Sequence, residues 1–489
     1  MNDPASALYD AEQVRELERA AIAGGIASYS LMQRAGAACW ALICAEGIPA
    51  SLVVVVGSGN NGGDGYEIAR LSRQVQVPVR VFSISEALPS GDAAIARQAW
   101  LAVGGEIETL SDELPASEWV VDAVFGIGLS RAPAGAAAQA IAAINAAAAA
   151  GAKVLAVDVP SGLDATSGCA YADCVRADLT LSFIGNKIGL WTGDAAEYCG
   201  RRVHDSLAIP ASLFAMQAPR AQLLTRTRLQ VLQRRPRNAH KGLFGHVLVI
   251  GGNLGMAGAA LLAGRAALRA GAGLVSIATR TEHAAALVAA QPELMVHGVA
   301  SADDLRGLVA RASVIALGPG LGQDEWGRAM FALAISGGKP LVVDADALNL
   351  LARVPQQRED WVLTPHPGEA ARLLGCTNAE VQVDRSASHA ALQTRYGGAV
   401  VLKGAGTMVS ADPIAICAHG NPGMAVAGMG DTLTGVIVAF IAQGLSPIDA
   451  AQCGVVAHAM AADVAAAGGE RGLLPGDVIS TLRGVVNPQ

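Results

Sequence analysis

The chain has 489 residues, 52 % hydrophobic and 16 % charged, with 57 glycines and a formal net charge of −7. That exceeds one ordinary domain of roughly 150 residues, and the apolar share can fill two or three cores, so a disordered chain is excluded. A net negative charge also excludes non-specific nucleic-acid binding, which needs clustered Lys and Arg to neutralise phosphates.

Residues Asp10 to Ala45 carry apolar side chains at helical spacing (Val14, Leu17, Ala21, then Leu31, Met32, Ala35), broken near Gly24-Gly25, which predicts two helices. From Leu52 onward, short β-branched runs alternate with helical stretches: Leu52–Val56, Val79–Ile84, Val120–Val124, Val154–Val157 and Leu179–Phe183. That alternation predicts parallel strands joined by crossover helices. Residues 218–238 are Arg- and Gln-rich with Pro219 and Pro236, show no strand pattern, and read as the interdomain connection, a solvated linker or short helix rather than a nucleic-acid patch. A second αβ series follows at Val247–Ile250, Leu274–Ala278, Val314–Leu317, Leu341–Val343, Val362–Leu363 and Val400–Leu402. The expected domains are residues 1–215 and 216–489. The acidic N-terminal stretch lacks the pattern of a secretory signal, no apolar span of membrane length is evident, and the eight scattered cysteines form no metal-binding pair. The expectation is a soluble cytoplasmic protein acting on small molecules, with no membrane or nucleic-acid partner, assembled as a homo-oligomer.

Leu52–Val56 runs into Gly57-Ser58-Gly59-Asn60-Asn61-Gly62-Gly63-Asp64-Gly65, with a helix expected over Tyr66–Ser72. The Gly57-x-Gly59-x-x-Gly62 spacing fits a dinucleotide loop, but the next strand lacks the acid that would hold a ribose. The loop remains suited to an anion, because backbone amides before a helix point at it. Two later strand ends carry similar polar turns, Val121-Asp122 to Arg131 and Asp158-Val159-Pro160-Ser161-Gly162-Leu163-Asp164. In an open parallel sheet such ends converge on one crevice, where Asn61, Asp122, Asp158 and Ser161 can meet.

The segments GSGNNGGDG, VDAVFGIGL and DVPSGLD resemble the YjeF-type N-terminal domain, the NAD(P)H-hydrate epimerase, over about residues 8–212. The resemblance implies a Rossmann-like αβα sandwich that interconverts the two C6 epimers of hydrated NADH or NADPH around a potassium ion. It implies Asn61, Asp122 and Ser161 as potassium ligands, an oxygen set suited to a hard cation. It implies that Asn60, Asn61, Gly62, Gly63, Asp64, the run Gly126-Ile127-Gly128-Leu129-Ser130-Arg131-Ala132 and Asp158 surround the substrate. Epimerisation beside a ring nitrogen needs proton transfer, for which Asp158 is the candidate acid/base. Lys187 either anchors phosphate, tunes Asp158 or is an ordinary surface lysine. Gln33 stands where this family often has Glu, a harmless change if the segment only packs or dimerises.

In the second half, Asn421-Pro422-Gly423 to Gly428-Met429-Gly430-Asp431-Thr432 precedes an apolar helix expected over Val436–Ala442. Glycines admit a phosphoryl group close to backbone N–H groups, and Asp431 can take a proton from an attacking hydroxyl. No P-loop sequence occurs. Together with Gly251-Gly252-Asn253, Gly318-Pro319-Gly320, Asp344-Ala345-Asp346, Thr364-Pro365-His366-Pro367-Gly368-Glu369 and Lys403-Gly404-Ala405-Gly406-Thr407, this resembles the ribokinase-like, ADP-dependent NAD(P)H-hydrate dehydratase over about residues 230–485. The order of the halves is similar to the bifunctional fusion of both activities. The resemblance implies Asp431 as base; Ala259, Gly320 and His366 lining the substrate; Lys403, Gly404, Ala405, Gly406, Thr407 and Gly430 holding ADP or AMP; and Mg²⁺ accompanying ADP. Asp344 and Asp346 either orient that Mg²⁺ through water or cap a helix. The alternatives are a vitamin or sugar kinase of the ribokinase type joined to a nucleotide module and, for the first half alone, a non-enzymatic ligand-binding or protein-interaction module.

Overall fold

Fully buried parallel strands have no solvent face, so their sequences read as unbroken apolar runs, and both halves of the chain are built on such runs. The computed structural model describes residues 6–85, 87–110 and 113–487; the first five residues of the acidic N-terminal stretch lie outside them. Two compact units divide the chain at Met1–Gln222 and Leu223–Gln489.

The first unit contains β1 (Ala7–Tyr9), β2 (Leu52–Val56), β3 (Val79–Ser83), β4 (Ile107–Thr109), β5 (Trp119–Ala123), β6 (Lys153–Val157), β7 (Leu179–Phe183), β8 (Asn186–Lys187) and β9 (Arg201–Asp205). The order β4-β3-β2-β5-β6-β7-β9 is parallel throughout. Alternate strand residues feed two cores. Val54, Val56, Val121 and Leu155 pack with helices Ala11–Ala23, Ser28–Ala45, Asn60–Gln74 and Gly91–Ala102, whereas Val53, Val55, Val120 and Val154 pack with helix Ala136–Ala149. The result is the three-layer sandwich expected of the first half. The short β1 pairs with β8 in parallel and with Ala221–Gln222 in antiparallel register.

The second unit takes in β10 (Ala221–Leu224), which straddles the division, then β11 (His246–Ile250), β12 (Leu274–Thr279), β13 (Met295–Gly298), β14 (Val314–Leu317), β15 (Leu341–Val343), β16 (Trp361–Leu363), β17 (Ala399–Leu402), β18 (Met408–Val409) and β19 (Ile414–Cys417). The order β13-β12-β11-β14-β15-β16-β17 is parallel, and β18 and β19 follow antiparallel. One core joins Val247, Val249, Val314, Ala316 and Val342 to helices Ala257–Ala270, Met429–Ala442, Pro447–Ala465 and Pro475–Val485. The alternate residues Leu248, Ile250, Ile315 and Leu317 are buried as well.

Two expectations are corrected. Residues 218–238 do hold a strand, with Ala221 and Leu224 buried in β10; Leu229 is buried in the short 3₁₀ helix Arg226–Val231, in keeping with a short helix there, and Arg234, Arg235 and Arg237 are exposed. The segment Pro447–Gly468 is long and apolar enough to cross a membrane, contrary to the reading that no such span exists. Two-thirds of it is buried inside the fold, and it serves as a core helix.

Candidate active sites

In each unit the strand order reverses beside the first long strand, between β2 and β5 and between β11 and β14. Ligands of open α/β sheets bind outside the carboxyl ends of strands at such a reversal. A glycine marks it in both units. A Cβ on Gly57 would lie 2.2 Å from the Val124 carbonyl oxygen, and one on Gly251 would lie 2.0 Å from that of Pro319.

In the first unit the helix after β2 starts at Asn60, six residues before the expected Tyr66, so Asn60 to Asp64 form its first turn rather than a loop. Asn61 is buried with its side-chain nitrogen lacking a hydrogen-bond partner. A Cβ on Gly126 would stand 3.3 Å from Asp158 Oδ2 and 3.5 Å from Asn61 Oδ1, which brings these three residues to one point. Farther along the same turn, Ser130, Arg131 and Ala132 are exposed. The Ser161 hydroxyl donates to Asp122 Oδ1 at 2.6 Å and its N–H to Oδ2 at 2.7 Å. The Phe125 N–H donates to Ser161 Oγ at 2.9 Å. Burial raises the Asp122 carboxyl to about 6 against these hydrogen bonds.

Asp158 follows β6 with φ of +70°, a left-handed conformation that an L side chain rarely adopts and that surrounding structure must enforce. Two contacts do so. The Phe183 N–H donates to Asp158 Oδ1 at 3.0 Å, and the Lys187 ammonium donates to the same oxygen. Lys187 is fully buried and also donates to the Phe183 carbonyl at 2.6 Å, which overturns its reading as a surface lysine. Asp64 is half-buried, and burial with the nearby Asp158 and Glu18 charges pushes its carboxyl well above the usual range. Glu18, on helix Ala11–Ala23, is also raised by burial and by Asp158; nothing in its sequence context marked it. Gln33 is exposed.

In the second unit the Gly252 N–H donates to Pro319 O at 2.9 Å and the Asn253 N–H to Gly320 O at 2.7 Å, stitching the β11 and β14 loops together. Gly320 has φ of +59°, and a Cβ there would lie 3.1 Å from Ala259 Cβ, so these two predicted substrate residues share one wall. Asp346 accepts from the Gly322 N–H at 2.9 Å.

Asp344 is buried at the end of β15 and accepts from Thr364 Oγ1 at 2.8 Å, Lys403 Nζ at 2.7 Å and Thr434 Oγ1 at 3.0 Å. Burial alone would raise this carboxyl, but the ammonium and the two hydroxyls hold it below its usual range. It stands at the N-cap position of helix Ala345–Arg353 without capping it, so helix capping does not explain it. Thr364, Thr434 and Glu369 stand within the sequence motifs, which assign them no individual role. Glu369 Oε2 lies 3.8 Å from Lys403 Nζ.

Helix Met429–Ala442 begins seven residues before the expected Val436, so Gly430 and Asp431 lie in its first turn. A Cβ on Gly430 would be 3.3 Å from Lys403 Nζ, so glycine keeps the ammonium open at the helix N-terminus. Burial raises the Asp431 carboxyl to about 6, with Asp344 adding. His366 caps helix Pro367–Leu374: its Nδ1 accepts from the N–H groups of Gly368 at 3.0 Å and Glu369 at 3.4 Å. That network assigns the proton to Nε2, and burial together with Lys403 lowers the ring pKa, so His366 presents a neutral donor. Beyond Lys403, Gly404 and Gly406 have φ of +134° and +62°, and Thr407 Oγ1 donates to Gly404 O at 2.8 Å.

The family described as NAD(P)H-hydrate dehydratase matches residues 247–483, and the YjeF-related protein N-terminus matches residues 28–189. The chain is similar to two proteins named bifunctional NAD(P)H-hydrate repair enzyme Nnr. That of Coxiella burnetii is 46 % identical over 98 % of this chain and 99 % of its own, and that of Escherichia coli 46 % identical over 98 % and 94 %. A crystal structure of a ribokinase-like superfamily protein from Enterococcus faecalis is 29 % identical, with a TM-score of 0.51, over 55 % of this chain and 95 % of that one.

Removing either member of the Asp344–Lys403 pair leaves a buried charge without its partner. Asp344→Asn and Lys403→Met are each expected to destabilise the second unit by about 3–5 kcal/mol, and the double variant by less than their sum. Urea unfolding of the full-length variants measures this; strictly additive losses would show that the two groups are not coupled.

Proposed function

We propose how this chain, which belongs to the family of bifunctional NAD(P)H-hydrate repair enzymes, divides two reactions between its two units. The first unit epimerises the R and S forms of hydrated NADH and NADPH. The second dehydrates the S form, consuming ADP and releasing AMP and phosphate.

In the second reaction the neutral Nε2–H of His366 and the Ala259–Gly320 wall orient the hydrated ring. Asp431 takes the proton of the C6 hydroxyl as that oxygen attacks the β-phosphorus of ADP, and AMP leaves. The hydroxyl has then become a phosphate ester, a far better leaving group. Its C6–O bond breaks as the ring nitrogen supplies electrons, and loss of a proton from the adjacent carbon restores the dihydropyridine. The N-terminus of helix Met429–Ala442, the Gly430 opening and the Lys403 ammonium favour the phosphoryl charge, and Lys403 to Thr407 with Gly430 hold the nucleotide. The observation that carries this reading is Asp431 in the first turn of that helix, its carboxyl lifted to about 6 beside Lys403 and Asp344. Among the described residues no three His, Cys, Asp or Glu side chains form a metal cluster, so Mg²⁺ is taken to enter with the ADP phosphates, largely hydrated.

In the first reaction Asp158 exchanges the proton, and Lys187, buried behind it, holds its carboxylate in place. Asn60 to Asp64, with Gly126 to Ala132, surround the substrate. Asn61, Asp122 and Ser161 would hold potassium, which when bound supplies positive charge beside Asp122. Two observations fit that ion: an all-oxygen donor set is available, and Asp122 is a buried carboxylate whose side-chain contact is a serine hydroxyl rather than a cation. The five buried cysteines suit a reducing compartment such as the cytoplasm.

Recovery of near-ultraviolet dihydropyridine absorbance from an R/S mixture of NADH-hydrate tests the whole reading. ADP-dependent recovery beyond the S fraction, faster than spontaneous epimerisation, is expected. A phosphorylated product that accumulates intact would instead indicate a small-alcohol kinase. Asp431→Asn should abolish dehydration and spare epimerisation, and Asp158→Ala should do the reverse; loss of both activities in either variant would contradict separate sites. Since Asp431 acts as a base only when ionised, dehydratase kcat/KM should rise about tenfold per pH unit below about 6 and level off above it. A flat profile from acid to neutral pH would remove Asp431 as the base. Replacing potassium by sodium should slow epimerisation alone, and an unchanged rate in potassium-free buffer would sink the ligand assignment.

A further inference from the structure

Arg385 opens helix Arg385–Tyr396 and is 3 % exposed. A guanidinium is buried only where its donors are used, and here they are directed at the start of the loop Lys403–Thr407. Nη2 donates to the carbonyls of Leu402 and Lys403, both at 3.2 Å, and Nη1 to Gln382 Oε1 at 2.8 Å. One turn along the same helix, His389 Nε2 meets the Val400 carbonyl at 3.1 Å, so the helix grips β17 and its exit at two levels. Gly404, with φ of +134°, lies on the guanidinium: a Cβ there would come within 3.1 Å of Nη1.

We propose that Arg385 is a positioning residue that aims the backbone of the loop Lys403–Thr407 at the adenine nucleotide. Carbonyl and N–H of one trans peptide point in opposite directions. Anchoring the Leu402 carbonyl therefore turns the Lys403 N–H the other way, where it donates to Pro365 O at 2.9 Å, on the side of the His366 turn. Anchoring the Lys403 carbonyl turns the Gly404 N–H away from Arg385 in the same manner, as a donor for nucleotide oxygens. It also secures the backbone from which the Lys403 side chain reaches Asp344. The planar fork lets Nη2 hold both carbonyls while Nη1 holds Gln382; a lysine keeps the charge but, with one rotatable nitrogen, cannot span both sides.

The inference rests on the assignment of Lys403 to Thr407 to ADP, and the test separates the two. In the full-length enzyme, Arg385→Met is expected to raise KM for ADP about tenfold, while KM for S-NADH-hydrate stays within about twofold and the epimerase rate is unchanged. Arg385→Lys should raise KM for ADP by about threefold or more, and it carries the test if the methionine variant does not fold. A change in both KM values together, or none in either variant, would overturn the proposal. Gly406→Val, which obstructs the loop itself, is the control. If it leaves KM for ADP unchanged, the nucleotide assignment fails and the role of Arg385 with it; if it raises KM while both Arg385 variants do not, only the role of Arg385 fails.

Discussion

The Asp344 carboxylate is buried at the end of β15, where its two oxygens take hydrogen bonds from the end of β16, the end of β17 and the first turns of helix Met429–Ala442. Three strand ends and one helix are thereby held to a single group. A lone buried carboxylate would be untenable, and Lys403 together with two threonine hydroxyls makes it stable as an anion. The arrangement leaves the lysine ammonium beside Gly430, so the charge that stabilises the carboxylate also faces the helix N-terminus.

The first unit uses the same physics at its own strand ends with different residues. Asp158 is held by Lys187 and by a backbone N–H, in a conformation with positive φ. Asp122, one strand away, has hydroxyl and backbone donors and no such lysine, and its carboxyl is lifted accordingly. Two carboxylates at neighbouring strand ends thus differ in whether the protein itself supplies the counter-charge. Asp431 is an intermediate case, half-buried and within the field of Lys403 without being bonded to it. The second unit shows the separation directly: Asp344 is held below its usual range while Asp431 is lifted to about 6.

Much of this was legible in the sequence because central parallel strands are continuous apolar runs. Leu52–Val56, Leu179–Phe183 and Val314–Leu317 are found at the bounds expected of them. Edge strands were not, since β4, β9 and β13 are partly exposed and carry residues such as Glu108, Arg201 and His297. The starts of helices Asn60–Gln74 and Met429–Ala442 were hidden by glycines. Low helix propensity reads as a loop, whereas in the fold those glycines admit close backbone or side-chain neighbours. The polar turns after β2, β5 and β6 did converge, as open-sheet topology requires. The pairing of Asp344 with Lys403, 59 residues apart, did not show, and that of Asp158 with Lys187, 29 apart, is one reading among three. A pairing over such distances leaves no periodic trace, so nothing in the sequence chooses for Lys187 between a role beside Asp158 and the surface, and Lys403 reads there as a nucleotide ligand only.

The short strand β1 has a consequence for how the protein is made. Its residues Ala7 to Tyr9 pair with Asn186–Lys187 on one side and with Ala221–Gln222 on the other. Its second neighbour lies at the far end of the first unit's sequence, so that edge of β1 is covered only once the chain reaches Ala221. Pairing with Asn186–Lys187 needs no residue beyond Lys187, but the other edge of β1 stays open until then. Contacts this distant in sequence are slow to form and expose strand edges meanwhile. A chain cut short before residue 221 would leave that outer edge of β1, next to the backbone that carries Lys187, without a paired strand.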